Sequence, residues 1–203
     1  MPVAPEQIVA HLQVDSNAIE HIATRNLSDA IRIVDPDPTW PQQFQHIRAR
    51  IQAALGDTAL AIAHTGSTSV PDLPAKPIID IDLTVQDIHD EASYVGPLES
   101  IGFTFLLRKP KWHEHRFFGR GRDPVPVNLH VFGPDCPEVE RHRIFREWLV
   151  LHPEARARYA EAKRVSARQS REAGESTIGY NARKQKVLRD ILDEAFRALG
   201  YIE

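Results

Sequence analysis

Ile78-Ile79-Asp80-Ile81-Asp82-Leu83-Thr84-Val85 is the stretch on which the fold turns. Its β-branched and apolar residues alternate with polar ones, the signature of a half-buried strand. Side chains alternate across a strand, so Asp80, Asp82 and Thr84 share one face. Ile79, Ile81, Leu83 and Val85 share the other, which must be the core face. Two carboxylates two residues apart lie roughly 6–7 Å apart at their Cα atoms, close enough to converge on one cation. Unless a cation, a shared proton or water relieves them, they repel. Hard oxygen ligands favour Mg²⁺ or Mn²⁺ over Zn²⁺. The plain alternative is two aspartates facing solvent.

Working upstream, His64-Thr65-Gly66-Ser67-Thr68-Ser69 follows a strand over 59–63 and opens a turn-rich stretch ending at Pro77. Gly66 permits close backbone approach, and the amides and hydroxyls of Ser67 and Thr68 can hold phosphate oxygens. Lys76, just before the aspartate strand, is placed to reach a phosphate or to sit in a solvated loop. Further upstream, Thr39-Trp40-Pro41-Gln42 reads as a helix start. Phe44, Ile47, Ile51 and Leu55 form its buried stripe, and Gly56 ends it. Residues 30–34 read as a short strand, broken by Asp35-Pro36-Asp37-Pro38.

Downstream, residues 88–101 read as a helix bent near Gly96-Pro97, and 103–107, 115–118 and 126–132 as strands. The last two strands are joined by the turn Gly119-Arg120-Gly121-Arg122-Asp123-Pro124. In Trp112-His113-Glu114-His115-Arg116 an alternating strand would put His113 and His115 on one face. Arg108, Lys109, Lys111, Arg120 and Arg122 make a basic hairpin region that either grips an anion or is simply solvated. From Glu138 the pattern is helical, with i, i+4 pairs at Ile144/Trp148 and Phe145/Leu149. A second helix follows Pro153, and a third carries Val187, Leu188, Ile191, Leu192, Ala195, Phe196 and Leu199. A mixed sheet followed by helices is an α+β arrangement. It divides into a weakly helical arm over 1–29, an α/β core over 30–135, and a C-terminal helical region over 136–203 packed on the core.

The 203 residues suit one compact domain with an appendage, and the net charge of −3 argues against a dedicated nucleic-acid binder. The single cysteine, Cys136, excludes an intrachain disulfide and reads as a small residue near a helix start rather than a catalytic thiol. No stretch reaches transmembrane length and the start lacks a basic segment leading into an apolar one, so a cytoplasmic protein is expected.

Gly-Ser after one strand with Asp-x-Asp on the next resembles the signature of the DNA-polymerase-β-like nucleotidyltransferase superfamily. The string Thr65-Gly66-Ser67-Thr68-Ser69-Val70-Pro71-Asp72-Leu73-Pro74-Ala75-Lys76-Pro77-Ile78-Ile79-Asp80-Ile81 closely resembles the GrpB family. Asp35-Pro36 with Trp40 and Phe44 is similar to that family's opening element. Glu114-His115-Arg116-Phe117-Phe118 and Asn128-Leu129-His130-Val131-Phe132 resemble two of its strands. Arg146-Glu147-Trp148-Leu149, Tyr159, Lys163, Tyr180 and Lys184 resemble its helical half. The likeness covers about residues 31–200 and leaves the arm outside.

The resemblance implies a nucleotidyltransferase-like mixed sheet packed with helices. It implies that the Gly66-Ser67 turn holds the phosphates of a nucleoside triphosphate and that Asp80 and Asp82 hold Mg²⁺. A third carboxylate usually completes such a site. Here the matching strand carries Asn128 and His130 instead, and His130 is either a metal ligand or base, or a structural histidine. His115, Arg116, Tyr180 and Lys184 join the candidate substrate contacts. Two functions follow. One is nucleotidyl transfer from the triphosphate to a hydroxyl on a small molecule or protein. The other is a catalytically silent binding or regulatory module on the same fold, motivated by the missing acid. The occurrence of GrpB-like domains fused to dephospho-CoA kinase fits an accessory role; no P-loop is present here.

Overall fold

The computed structural model describes residues 3–25, 31–121 and 125–203. Its centre is a sheet of six described strands: β1 (Glu20–His21), β2 (Ala59–Thr65), β3 (Ile79–Val85), β4 (Phe103–Lys109), β5 (His115–Arg120) and β6 (Val127–Phe132). They lie in the order β1-β4-β5-β6-β3-β2. Only β3 and β6 run parallel, with Asp80 opposite Asn128 and Asp82 opposite His130; the other pairings are antiparallel. The sheet is therefore mixed, as expected for an α+β chain.

The alternation read in β3 holds. Ile79, Ile81, Leu83 and Val85 are fully buried in the main core with Val127, Leu129 and Val131 of β6. That face is covered by α2 (Trp40–Leu55), whose Trp40, Phe44, Ile47, Ile51 and Leu55 are the buried stripe the spacing required. Gly56 stops the helix with a positive φ of 53°, its amide bonding back to the Gln52 carbonyl.

The opposite face meets three helices, α4 (Pro137–Leu151), α5 (Pro153–Glu172) and α6 (Thr177–Ala198). A second core of Leu149, Tyr159 and Ile191 closes over Val70 and Leu73 of the turn-rich stretch. No described helix is long and apolar enough to cross a membrane.

Several expectations need correction. The helix over 88–101 shrinks to α3 (Val95–Ser100), preceded by a single 3₁₀ turn over Glu91–Ser93. Pro97 lacks an N–H and fits only a helix's first turn, so the helix cannot extend far upstream of it. His113 and Glu114 have φ of 53° and 49°, so they belong to the turn before β5 and not to an alternating strand. Of the strand over 30–34, Ala30 lies outside the described residues, and the rest contributes only an isolated bridge between Val34 and Ala75. Arg122, Asp123 and Pro124 of the β5–β6 turn also lie outside them.

The arm does more than its composition suggests. A short helix α1 (Pro5–Val9) buries Ile8 against Ile144, Leu192 and Phe196. Arg141 donates to the Ile8 and Ala10 carbonyls at 2.9 and 3.2 Å. Further along, β1 adds to the free edge of β4, and the Ile22 amide donates to the Leu106 carbonyl at 2.9 Å.

Candidate functional site

Between the polar face of the sheet and α4–α6 lies a cleft of about 760 Å³. It gathers most of the residues singled out from sequence: Gly66, Ser67, Thr68, Lys76, Asp80, His115, His130, Tyr180 and Lys184. Two are not brought in. Arg116 follows His115 on β5, so alternation turns it to the other face, where it donates to Glu91 Oε1 at 3.0 Å. Its expected substrate contact is corrected accordingly. Asp82 is 3 % exposed and lies beneath the cleft lining rather than in it.

Gly66 is obligatory. Its φ is 66°, and a Cβ there would collide with the Asp80 carboxylate. The turn after it is held from several sides. Ser69 Oγ donates to the Gly66 carbonyl at 2.7 Å, Thr68 Oγ1 to the Ile78 carbonyl at 3.1 Å, and Arg146 Nε to the Ser69 carbonyl at 3.3 Å. Because the Thr68 proton is spent on Ile78, His64 Nε2 donates to Thr68 Oγ1 at 3.0 Å. Burial, then the Arg146 charge, pushes the His64 pKa down to about 4, so it is a neutral structural ring stacked on Phe44.

The cleft is strongly cationic. Arg25, Lys76, Lys109, Arg146, Lys163 and Lys184 line it, against the single carboxylate of Asp80. Among the described residues none of the six lies within 4.0 Å of a carboxylate oxygen. Elsewhere cations do find carboxylates, as Arg108 and Arg116 do on Glu91. Lys76, Lys163 and Lys184 pack around two tyrosine rings: Lys76 lies 5.3 Å and Lys184 5.6 Å from the Tyr180 centroid, and Lys163 4.9 Å from that of Tyr159. Lys184 also donates to the Tyr159 hydroxyl at 3.2 Å. Lys163 is 2 % exposed and donates to the Pro74 carbonyl. Burial, then repulsion from Lys184 and Arg164, pushes its pKa down to about 6.

Beneath the lining, the carboxylates are already partnered. Asp82 Oδ2 accepts from His142 Nδ1 at 2.8 Å, and His142 Nε2 lies 3.4 Å from Glu138 Oε1. Packing alone would lower the His142 pKa, but the two carboxylates outweigh it and raise it to about 10. His142 is thus an imidazolium. Asp80 Oδ1 accepts from Asn128 Nδ2 at 2.7 Å. Arg25 can only donate, and its Nη2 meets Asn128 Oδ1 at 2.6 Å, which fixes the amide with its NH₂ toward Asp80.

The histidine pair on β5 and β6 has a definite tautomer. His115 Nε2 and His130 Nδ1 are 2.9 Å apart, and His115 Nδ1 is buried without a partner. A buried bare nitrogen is cheaper than a buried unpaired N–H. His115 therefore donates from Nε2, and His130 keeps its own proton on Nε2, away from His115. Burial first lowers the pKa of both rings, so they are neutral and His130 presents an N–H donor.

This donor set does not match a Mg²⁺ or Mn²⁺ centre, which needs several oxygen ligands in near-octahedral array. Among the described residues, no three of His, Cys, Asp or Glu come together in a way that can hold a metal. Asp82 Oδ1 is buried without a partner, but it is one oxygen of a carboxylate already facing an imidazolium. On the strand where the resemblance implies a third acid, Asn128 offers N–H groups to Asp80 and His130 is a neutral imidazole. Cys136 stands just before α4 without a side-chain capping bond, near a helix start as expected, and burial pushes its thiol up to about 11.

Sequence reasoning missed Arg25 and His142. Glu138, His142 and Arg146 are successive i, i+4 positions, a polar stripe on α4 that could have flagged the second. Arg25 sits in the weakly helical arm, where no motif marks it.

A family profile described as GrpB protein matches residues 30–194. A UPF0157 protein of Halalkalibacterium halodurans is 41% identical, covering 82% of this chain and 83% of that protein. One of Pseudomonas aeruginosa is 38% identical over 84% of this chain and 69% of that protein. A dephospho-CoA kinase of Mycolicibacterium paratuberculosis is 33% identical; the match covers 87% of this chain but only 49% of that enzyme. Among solved structures, a conserved GrpB protein from Enterococcus faecalis superposes with a TM-score of 0.66 at 25% identity, covering 81% of this chain and 99% of that one.

Proposed function

This chain belongs to the GrpB protein family, and from that premise we propose that its cleft binds a nucleoside triphosphate or a similar polyphosphorylated anion, as a binding module rather than a nucleotidyltransferase. The observation that carries this is the set of five cleft cations and the Lys163 amine with no carboxylate within 4.0 Å among the described residues. Clustered, partly buried like charges destabilise a fold unless a ligand of opposite sign relieves them. Terminal phosphates carry that sign and several acceptor oxygens. Trp112, Phe117, Phe145 and Ile178 line the same cleft and give a base or another apolar group a surface to pack on.

Transfer to a hydroxyl needs a base beside the acceptor and stabilisation of the leaving phosphate. His130 presents a proton where a base would need a lone pair, and both aspartates are engaged by protein donors. The likeness to half of a dephospho-CoA kinase supports an accessory role beside phosphorylated ligands.

Calorimetric titration with AMP, ADP, ATP and tripolyphosphate tests this. Affinity is expected to rise with phosphate number, and labelled triphosphate is expected to survive incubation with a broad acceptor panel. No binding of any member refutes the reading. Product that disappears in Asp80→Asn would restore nucleotidyl transfer.

A further inference from the structure

We propose that Arg25, delivered by the N-terminal arm, is a ligand-binding residue that with Asn128 stands where a divalent cation would, so that the cleft takes its polyphosphate without metal. This rests on the anion reading above and deepens it. Arg25 lies ahead of the residues the family profile matches, 30–194, so the family pattern does not supply it.

The chain builds this contact deliberately. Backbone bonds from Ile22 and Ala23 to the Leu106 carbonyl, at 2.9 and 3.2 Å, fix the arm along the edge of β4. Arg25 then reaches across β5 into the cleft. Its Nη1 donates to the Val127 and Arg120 carbonyls at 2.6 and 3.3 Å, and its Nη2 to Asn128 Oδ1 at 2.6 Å. A guanidinium has five N–H donors in a planar fork, so Nε and one Nη2 hydrogen remain for a phosphate. The seat exists because residue 119 is glycine. A Cβ there would come within 2.8 Å of Arg25 Cδ, Nε and Nη1. Gly119 faces Asn128 across the β5–β6 pairing, and Asn128 lies opposite Asp80 on β3, so the guanidinium and the Asn128 amide sit together beside the Asp80 carboxylate.

Charge is what the metal would otherwise contribute. A divalent cation between two aspartates neutralises them and then attracts phosphate. Here Asn128 donates to one oxygen of Asp80, the His142 imidazolium faces one oxygen of Asp82, and Arg25 supplies the fixed positive charge. Glycine at 119 and arginine at 25 are two halves of one device.

The experiment is calorimetric binding of ATP to the full chain in EDTA and again in excess Mg²⁺. It is repeated for Arg25→Ala, Gly119→Ala and Asn128→Asp, with thermal melts to confirm folding. The wild type is expected to bind in EDTA at least as tightly as in Mg²⁺. Arg25→Ala and Gly119→Ala should each weaken metal-free binding about tenfold or more, as loss of a charged hydrogen bond does. Asn128→Asp, which adds a third acid, should weaken it in EDTA and recover in Mg²⁺. Gly119→Ala places only a methyl against a flexible side chain, so it separates loss of the Arg25 seat from loss of the fold. Binding that needs Mg²⁺ overturns the inference and leaves the anion reading standing. Unchanged affinity in both Arg25→Ala and Gly119→Ala also overturns it. No binding under either condition removes both.

Discussion

Lys163 shows how one side chain reports on the cleft. Its amine is held at about 6, below the ordinary lysine value of 10.5, by burial and then by neighbouring cations. The folded value lies below the unfolded one. Its contribution to stability is therefore greatest above the unfolded value and is lost as pH falls through the folded value. A polyanion reverses the balance by stabilising the charged form. Binding at pH 8 should therefore take up a proton, and affinity should rise as pH falls from about 8 toward 6. Calorimetry in two buffers of different ionisation enthalpy reads the uptake directly. It should vanish in Lys163→Met, and an uptake that persists there would reassign the proton to another group. The sequence marked Lys163 only through resemblance, because nothing in its spacing on α5 tells a buried amine from an exposed one.

At the scale of elements, β3 was legible because its two faces differ completely, and α2 and α6 because their apolar stripes are long. The clamp between α4 and β3 was not, since it depends on which residue of a helix lands over which residue of a strand. That clamp is the His142–Asp82 pair at 2.8 Å, backed by Glu138. The folded pKa of His142, about 10, lies above the ordinary histidine value of 6.5. Its stabilisation is thus fully present below about pH 6.5 and is lost as pH rises through about 10. His142→Ala leaves a buried carboxylate unpartnered and should cost about 3 kcal/mol at pH 6. Urea unfolding at pH 6 and again at pH 10 checks this. The difference between variant and wild type should shrink at the higher pH, and an equal difference at both would show that packing, not charge, holds the clamp.

Across the whole molecule, a chain of net charge −3 gathers Arg25, Lys76, Lys109, Arg146, Lys163 and Lys184 around one cleft, none of them within 4.0 Å of a carboxylate among the described residues. Overall composition cannot reveal this, because it averages the charges of one cleft over the whole chain. The α+β class followed from the strand and helix pattern, and the Gly66-Ser67 turn and Asp80 line the candidate cleft. What the strand pattern could not show is that Asp82 sits beneath the lining, that Arg116 turns away, and that the arm returns to complete the site with Arg25. Each depends on tertiary packing over long sequence separations. The arm in particular carries little local pattern, yet it is tied down through Ile8, through the Arg141 bonds and through β1 on the sheet edge.

The most direct test of the central claim is a crystal structure of the protein grown with ATP in the presence of EDTA. The phosphates should lie among Lys76, Lys184 and Arg25, against the Gly66-Ser67 turn, with donor–acceptor distances of about 3 Å. A triphosphate found elsewhere on the surface, or one reaching this cleft only through a metal held by Asp80 and Asp82, would contradict it.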